Sequence, residues 1–292
     1  MPVPSLPRPL WPSWSPLRRR VASATHLSLF LDYDGTLVPL VDHPSRARLS
    51  PAMKRLLQRL AGRPGVWVAL VSGRSLADVK RMVGLAGLCY VGNHGLELQG
   101  PALRYVNPVA RATRPLLAHL GGRLTQALAS IPGAWVEDKA LTLSVHYRRV
   151  AAVERLRVRN AFYQVVRPSQ EQRRIRVTAG KDVFELRPPV RWTKGTMLSW
   201  LLTRQRALAG RASVLPVCLG DDATDEDAFE ALGDRGITVA VGPSTPLTRA
   251  RYYVKSPADV QRLLERILAA RPPSSALRAS ERRFHPHADS DG

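Results

Sequence analysis

The stretch LFLDYDGTL, residues 29–37, sets an apolar run directly against two carboxylates and then a glycine. Carboxylates as close as Asp32 and Asp34 raise each other's pKa unless something positive neutralises them, so the pair points to a bound cation or a shared proton. An ordinary turn is the alternative, because Asp and Gly are common turn residues. The rest of the chain decides between these readings.

Outward from this stretch, HLSLFLDYDGT (26–36) reads as a strand that ends in acids. VWVALVSGR (66–74), GLCYVGNHG (87–95), SVLPVCLGDD (213–222) and ITVAVG (237–242) are further apolar strands. Helical spacing separates them in PAMKRLLQRLAG (51–62), SLADVKRMVG (75–84), TKGTMLSWLLTRQ (193–205) and DEDAFEALG (225–233). Strands that are apolar throughout, alternating with helices, predict a parallel sheet covered on both faces. Ligands of such sheets bind beyond the carboxyl ends of the strands. Asp32, Ser72, Asp221 and Asp222 all stand where an apolar run turns polar, so one crevice can collect them. Carboxylate oxygens there suit a hard cation, and a hydroxyl with backbone N–H groups suits a phosphate.

A chain of 292 residues, 45% of them hydrophobic, is long enough for one large or two modest domains with a proper core. Its two cysteines, Cys89 and Cys218, lie in apolar runs and read as reduced core thiols, which favours an intracellular setting. No apolar segment has the length of a membrane span. Lys and Arg number 44 against 23 acids, and the net charge of +21 raises nucleic acid as a partner. The basic residues are spread along the chain, however, without a nucleic-acid-binding motif or an aromatic stacking platform. They read as mostly solvated surface, with a minority drawing in an anionic substrate. Both ends look added: residues 1–24 are Pro- and Ser-rich and are expected to form a flexible arm, and 271–292 a disordered tail.

With the motifs in view, the chain resembles the haloacid dehalogenase superfamily of phosphatases. The resemblance rests on DYDGT (32–36), the Ser of VSGR, the Lys of WTKGTM and GDDATDEDAF (220–229), in that order. It implies a Rossmann-like parallel-sheet core in two parts, 25–107 and 189–270, with an inserted α+β cap at 108–188. It also implies Asp32 as nucleophile, forming an aspartyl-phosphate, and Asp34 as general acid and base. Ser72 and Lys194 would hold the transferring phosphoryl group. Mg²⁺ would be bound by Asp32, Asp34 (through its backbone carbonyl), Asp221, Asp222 and Asp225. A helix N-terminus decorated with acids is the structural alternative for GDDATDED.

The interval between Ser72 and Lys194 is too long for a single crossover, and its pattern supports the cap. Helix-like 111–131 and 151–166 flank AWVEDKALTLSVHYR (134–148), which alternates as a strand, and RIRVTAGKDVFELRPP (174–189) reads as a hairpin. GNHGLE (92–97), VEDKALTLSVHYR (136–148) and VFELRPPVRWTKG (183–195) resemble the trehalose-6-phosphate phosphatases, over most of residues 26–260. That resemblance implies hydrolysis of trehalose 6-phosphate, and with it a phosphorylated disaccharide as partner, handled by Arg74, His94, Glu137, Lys139, His146, Arg148 and Glu185. Each keeps a plainer reading: His146 with Arg148, or Glu137 with Lys139, could be same-face neighbours on a solvated strand. Thr193 stands where the family often has Asn, but Thr can also cap a helix. Another capped sugar-phosphate phosphatase, a phosphomutase, or a non-catalytic basic binding protein on the same fold are the alternatives. A cytoplasmic monomer is expected.

Overall fold

A computed structural model describes residues 5–41, 44–180, 182–210, 212–242 and 247–271. Its elements in chain order are β1 (Arg8–Pro9), α1 (Trp14–Ser23), β2 (His26–Asp32), α2 (Pro51–Ala61), β3 (Val66–Val71), α3 (Leu76–Val83), β4 (Cys89–Gly92), β5 (Glu97–Gly100) and β6 (Leu103–Val106). Next come α4 (Pro108–Leu128), β7 (Trp135–Asp138), β8 (Leu143–His146), α5 (Arg155–Glu171), β9 (Arg176–Gly180) and β10 (Val183–Arg187). The chain finishes through α6 (Lys194–Ala209), β11 (Val214–Gly220), α7 (Ala223–Leu232), β12 (Ile237–Val241), β13 (Tyr252–Val254) and α8 (Pro257–Ala270). Two compact units result: one runs to Arg104 and resumes at Trp192, and the other is Tyr105–Arg191.

In the first unit the strands lie in the order β1-β13-β12-β11-β2-β3-β4-β5-β6. Every residue of β2 and of β3 is buried, as expected of central strands covered on both faces. β2 pairs in parallel with β11 on one side and β3 on the other, with Leu31 opposite Leu219 and Asp32 opposite Val71. This register brings the polar ends of three strands level with one another. Beyond the parallel strands, β4 and β5 pair antiparallel. The helices start where their caps dictate: Ser50, Ser75, Thr193 and Ser256 each accept from a backbone N–H in the first turn.

Three expectations are corrected here. Within the expected flexible arm, residues 5–24 are built into the fold: β1 pairs with β13, and α1 buries Leu17 and Val21 in the core beside Leu10. The prolines do not prevent this, because Pro16 falls in the first turn of α1, where no helical hydrogen bond is lost. The Arg262 guanidinium of α8 lies 4.6 Å from the centre of the Trp11 ring, so the arm is fastened to that helix. Arg271, placed in the tail by its composition, is buried and donates to the carbonyls of Ala24 and Thr25; the rest of the expected tail, 272–292, lies outside the described residues. The expected strand 87–95 breaks after Gly92 into a turn at Asn93–Gly95, with Asn93 and His94 in the left-handed region at φ 49° and 54°.

The second unit is an antiparallel sheet, order β7-β8-β10-β9, with α4 and α5 packed on one face. Alternation sends Leu143, Val145, Phe184 and Leu186 into an apolar cluster with Leu117, Leu124 and Phe162, where the Phe162 and Phe184 rings stack at 4.5 Å. The run 134–148 is not one strand. Asp138 accepts from Ala140 N at 2.7 Å and Ala140 takes φ 66°, which closes a tight turn holding Lys139. β8 ends at His146, so Arg148 sits exposed in the turn that follows and does not share a strand face with His146.

Candidate active site

The carboxyl ends of β2, β3 and β11 and the starts of α6 and α7 converge in the first unit. Thr193 caps α6, so Lys194 is its first residue, and the ammonium is carried inward to 2% exposure. Lys194 Nζ donates to Asp32 Oδ1 at 2.8 Å and to Asp225 Oδ1 at 2.9 Å, with Asp222 Oδ1 at 3.8 Å. Asp222 and Asp225 cap α7 reciprocally: Asp222 accepts from Thr224 N at 2.8 Å, and Asp225 Oδ2 accepts from Asp222 N at 3.3 Å. The floor is apolar, formed by Phe30, Val71, Met197 and Cys218 among others.

Asp32, Asp221 and Asp225 can each offer one oxygen within 4.8 Å of the others. Gly35 makes this approach possible. Its φ is +85°, and a Cβ on it would lie 2.0 Å from Asp221 Oδ2. Gly220 plays the same part for Asp225, whose Cγ would stand 2.1 Å from a Cβ there. Thr36, fully buried, donates to Asp221 Oδ1 at 3.3 Å, a contact that gives a reason for the Thr of DYDGT.

The charges follow from this crowding. Burial raises the Asp32 carboxyl to about 8, against the pull of Lys194 and with added push from Asp222 and Asp221. Burial likewise lifts Asp221 to about 7, reinforced by Asp222 and Asp225, and holds Asp225 well above its ordinary value despite Lys194. Burial works against ionisation of Asp222 too, yet Lys194 and the Thr224 hydrogen bond keep its carboxyl low. Desolvation opposes the charge on Lys194, but Asp225, Asp32 and Asp222 together keep it protonated. One ammonium thus faces more acid than it can balance. Hard oxygen ligands with a deficit of positive charge fit a divalent cation.

The remaining candidates of this unit lie alongside. Ser72 is buried at the end of β3; its Oγ accepts from Arg74 N at 3.1 Å and its carbonyl from His94 N at 3.0 Å. The His94 ring sits over Gly73, where a Cβ would come within 2.6 Å of it. Arg74 holds both oxygens of Asp34, at 2.7 and 2.6 Å, in a forked ion pair. Of the five residues expected to bind metal, Asp222 uses its side chain to cap α7, and Asp34, expected to offer its backbone carbonyl, keeps its side chain on Arg74.

In the second unit, four of the expected residues meet on the polar face of the sheet. Lys139 Nζ lies 3.9 Å from Glu137 Oε2 and 3.8 Å from Glu185 Oε1, and His146 Nε2 lies 2.8 Å from Glu137 Oε2. Arg187 Nε, 3.8 Å from Glu185 Oε2, joins this group, and Trp135 stacks on His146. Neither residue was among the sequence candidates. Alternation from Glu185 offered a signal for Arg187, two positions on; Trp135 depends on cross-strand register. Arg148 lies outside these strands, in the turn after β8.

A parallel sheet in which β2 ends in an aspartate, with a buried lysine opening α6 and acids after β11, interrupted by an α+β unit, is a fold of the haloacid dehalogenase type. Within that class, the family model described as trehalose-phosphatase matches residues 30–258, and the chain belongs to this family. A trehalose-phosphate phosphatase of Mycobacterium bovis is 40% identical over 244 residues, covering 82% of this chain and 61% of that protein. The chain thus spans about three fifths of the length of the curated relatives it matches. Among solved structures, a trehalose-6-phosphate phosphatase related protein is 25% identical with a TM-score of 0.71, covering 83% of this chain and 97% of the other. Aspergillus fumigatus trehalose-6-phosphate phosphatase is 26% identical with a TM-score of 0.61, over 92% of this chain and all of the other (100%). Among the described residues, no helix is long and apolar enough to cross a membrane.

Proposed function

We propose that the protein hydrolyses trehalose 6-phosphate to trehalose and inorganic phosphate. The observation that carries the chemistry is the buried contact of Lys194 with Asp32 at 2.8 Å, beside Asp221 just after β11 and Asp225 in the first turn of α7. The names of the relatives at 40% identity support the substrate.

Asp32 attacks phosphorus in line, forming an aspartyl-phosphate as the bond from phosphorus to the sugar oxygen breaks. Asp34 gives its proton to that leaving oxygen, then takes one from the water that splits the acyl phosphate. To do so its carboxyl turns out of the Arg74 fork, which otherwise occupies both oxygens. Lys194 orients Asp32 and neutralises phosphoryl oxygens, and the Ser72 hydroxyl helps to hold them. Asp32, Asp221 and Asp225 would hold Mg²⁺, whose charge when bound offsets the repulsion between an anionic nucleophile and an anionic substrate. On the inserted unit, Glu137, Lys139 and Glu185 offer acceptors and donors on fixed strands, which a neutral, hydroxyl-rich disaccharide requires. The same reading takes the protein as a cytoplasmic monomer.

Steady-state phosphate release with Mg²⁺, across phosphorylated mono- and disaccharides, tests the reading. Preference for trehalose 6-phosphate is expected. Comparable turnover of sucrose 6-phosphate or mannosyl phosphates would remove the specificity claim, and transfer of phosphate to a second sugar hydroxyl would make the protein a mutase.

A further inference from the structure

Trp135 opens β7, the edge strand of the inserted sheet, and is paired directly with His146 of β8. Their rings stack at 4.1 Å between centroids, only 12° from parallel. His146 Nε2 is 2.8 Å from Glu137 Oε2, and because a carboxylate can only accept, the imidazole donates. Glu137 lies two residues after Trp135, on the same face of β7. The group continues across the sheet. Ser144 stands opposite Glu137 on one side and Glu185 on the other, and it is buried and small, so the long side chains of the flanking strands meet above it around Lys139.

We propose that Trp135 is a positioning residue for sugar recognition: its indole fixes the plane of the His146 ring, and through that ring the direction of the Glu137 carboxylate. This deepens the function proposed above and rests on it for the class of ligand, a phosphorylated sugar whose hydroxyls Glu137 binds. An imidazole on a half-buried strand end has two torsions to lose on binding, and a parallel aromatic face removes that freedom beforehand. The phosphoryl chemistry at Asp32 makes no use of Trp135. Its effect therefore belongs to discrimination between sugar esters and esters without hydroxyls.

The test measures kcat/KM for the phosphorylated sugar that the wild type prefers and for p-nitrophenyl phosphate, in the full chain. Trp135→Ala should lower the ratio of the two by about tenfold, the size of one weakened polar contact. Trp135→Phe, which keeps a face to stack, should hold the ratio within about threefold. Trp135→Leu, which fills the space without a flat ring, should fall as alanine does and covers the case in which the alanine variant does not fold. In a His146→Ala background the Trp135→Leu substitution should add almost nothing, because the two residues act in series. An unchanged ratio, equal losses on both esters, or a full additional loss in the His146→Ala background would each overturn the proposal. The ratio is taken on whichever sugar ester the wild type favours, so an error about trehalose would show in the wild type alone and leave the Trp135 test standing.

Discussion

Gly35 shows how far single positions decide this site. Its φ of +85° is strained for any other residue, and a side chain there would strike Asp221. Gly35→Ala is expected to cost about 1–3 kcal/mol of stability and to weaken the response to Mg²⁺, read by chemical denaturation with and without the cation. Asp32→Asn removes the proposed nucleophile with little change in volume; turnover should fall by at least about a thousandfold while circular dichroism stays native. Normal turnover would refute the assignment of Asp32. Asp32, Asp221 and Asp222 were legible because each ends an apolar run at the close of a strand, whereas Lys194 and Asp225 entered through the resemblance of WTKGTM and GDDATDEDAF. The Arg74 fork on Asp34 was not, since a long flexible side chain reaches its partner by a route that spacing does not encode. Nor was the Trp135 stack, because its register depends on the tight turn at Ala140 between the two strands.

At the scale of elements, β2, β3 and β11 could be read from unbroken apolar runs, since central parallel strands have no polar face to show. The N-terminal segment misled for the opposite reason. Pro and Ser dominate its composition, but three apolar side chains, Leu10, Leu17 and Val21, are enough to seat it when a sheet edge at β13 and the helix α8 receive them. Leu17→Ala should therefore destabilise the protein by about 2–5 kcal/mol in urea unfolding, the usual range for a buried leucine. A change below about 0.5 kcal/mol, typical of surface sites, would mean that α1 does not dock. In the inserted unit, alternation in Val183–Arg187 was readable because one face of that sheet is apolar and the other polar.

Across the whole molecule, the crowded acids link folding to pH. A carboxyl raised in the folded state keeps its proton when the unfolded chain has lost it, so stability falls as pH rises from the ordinary carboxylate range to the folded value. For Asp221 and Asp32 that decline extends to about 7 and about 8. His26, lowered by burial and by Arg271, acts in the reverse sense below its ordinary 6.5. Asp222, held low, acts only below the ordinary carboxylate value of 3.8. The cation-free protein should thus lose thermal stability between about pH 6.5 and 8, and Mg²⁺ should restore it most strongly at the upper end. A melting temperature that rises with pH across this interval would contradict the arrangement of charges described for the site. The most direct measurement concerns the covalent step itself: quench the protein during turnover of trehalose 6-phosphate with Mg²⁺, reduce acyl phosphates with borohydride, and map the peptides by mass. Conversion of the aspartate at position 32 to homoserine is expected. Conversion at another acid with position 32 untouched, or a phosphate ester on Ser72 instead, would contradict a nucleophilic Asp32.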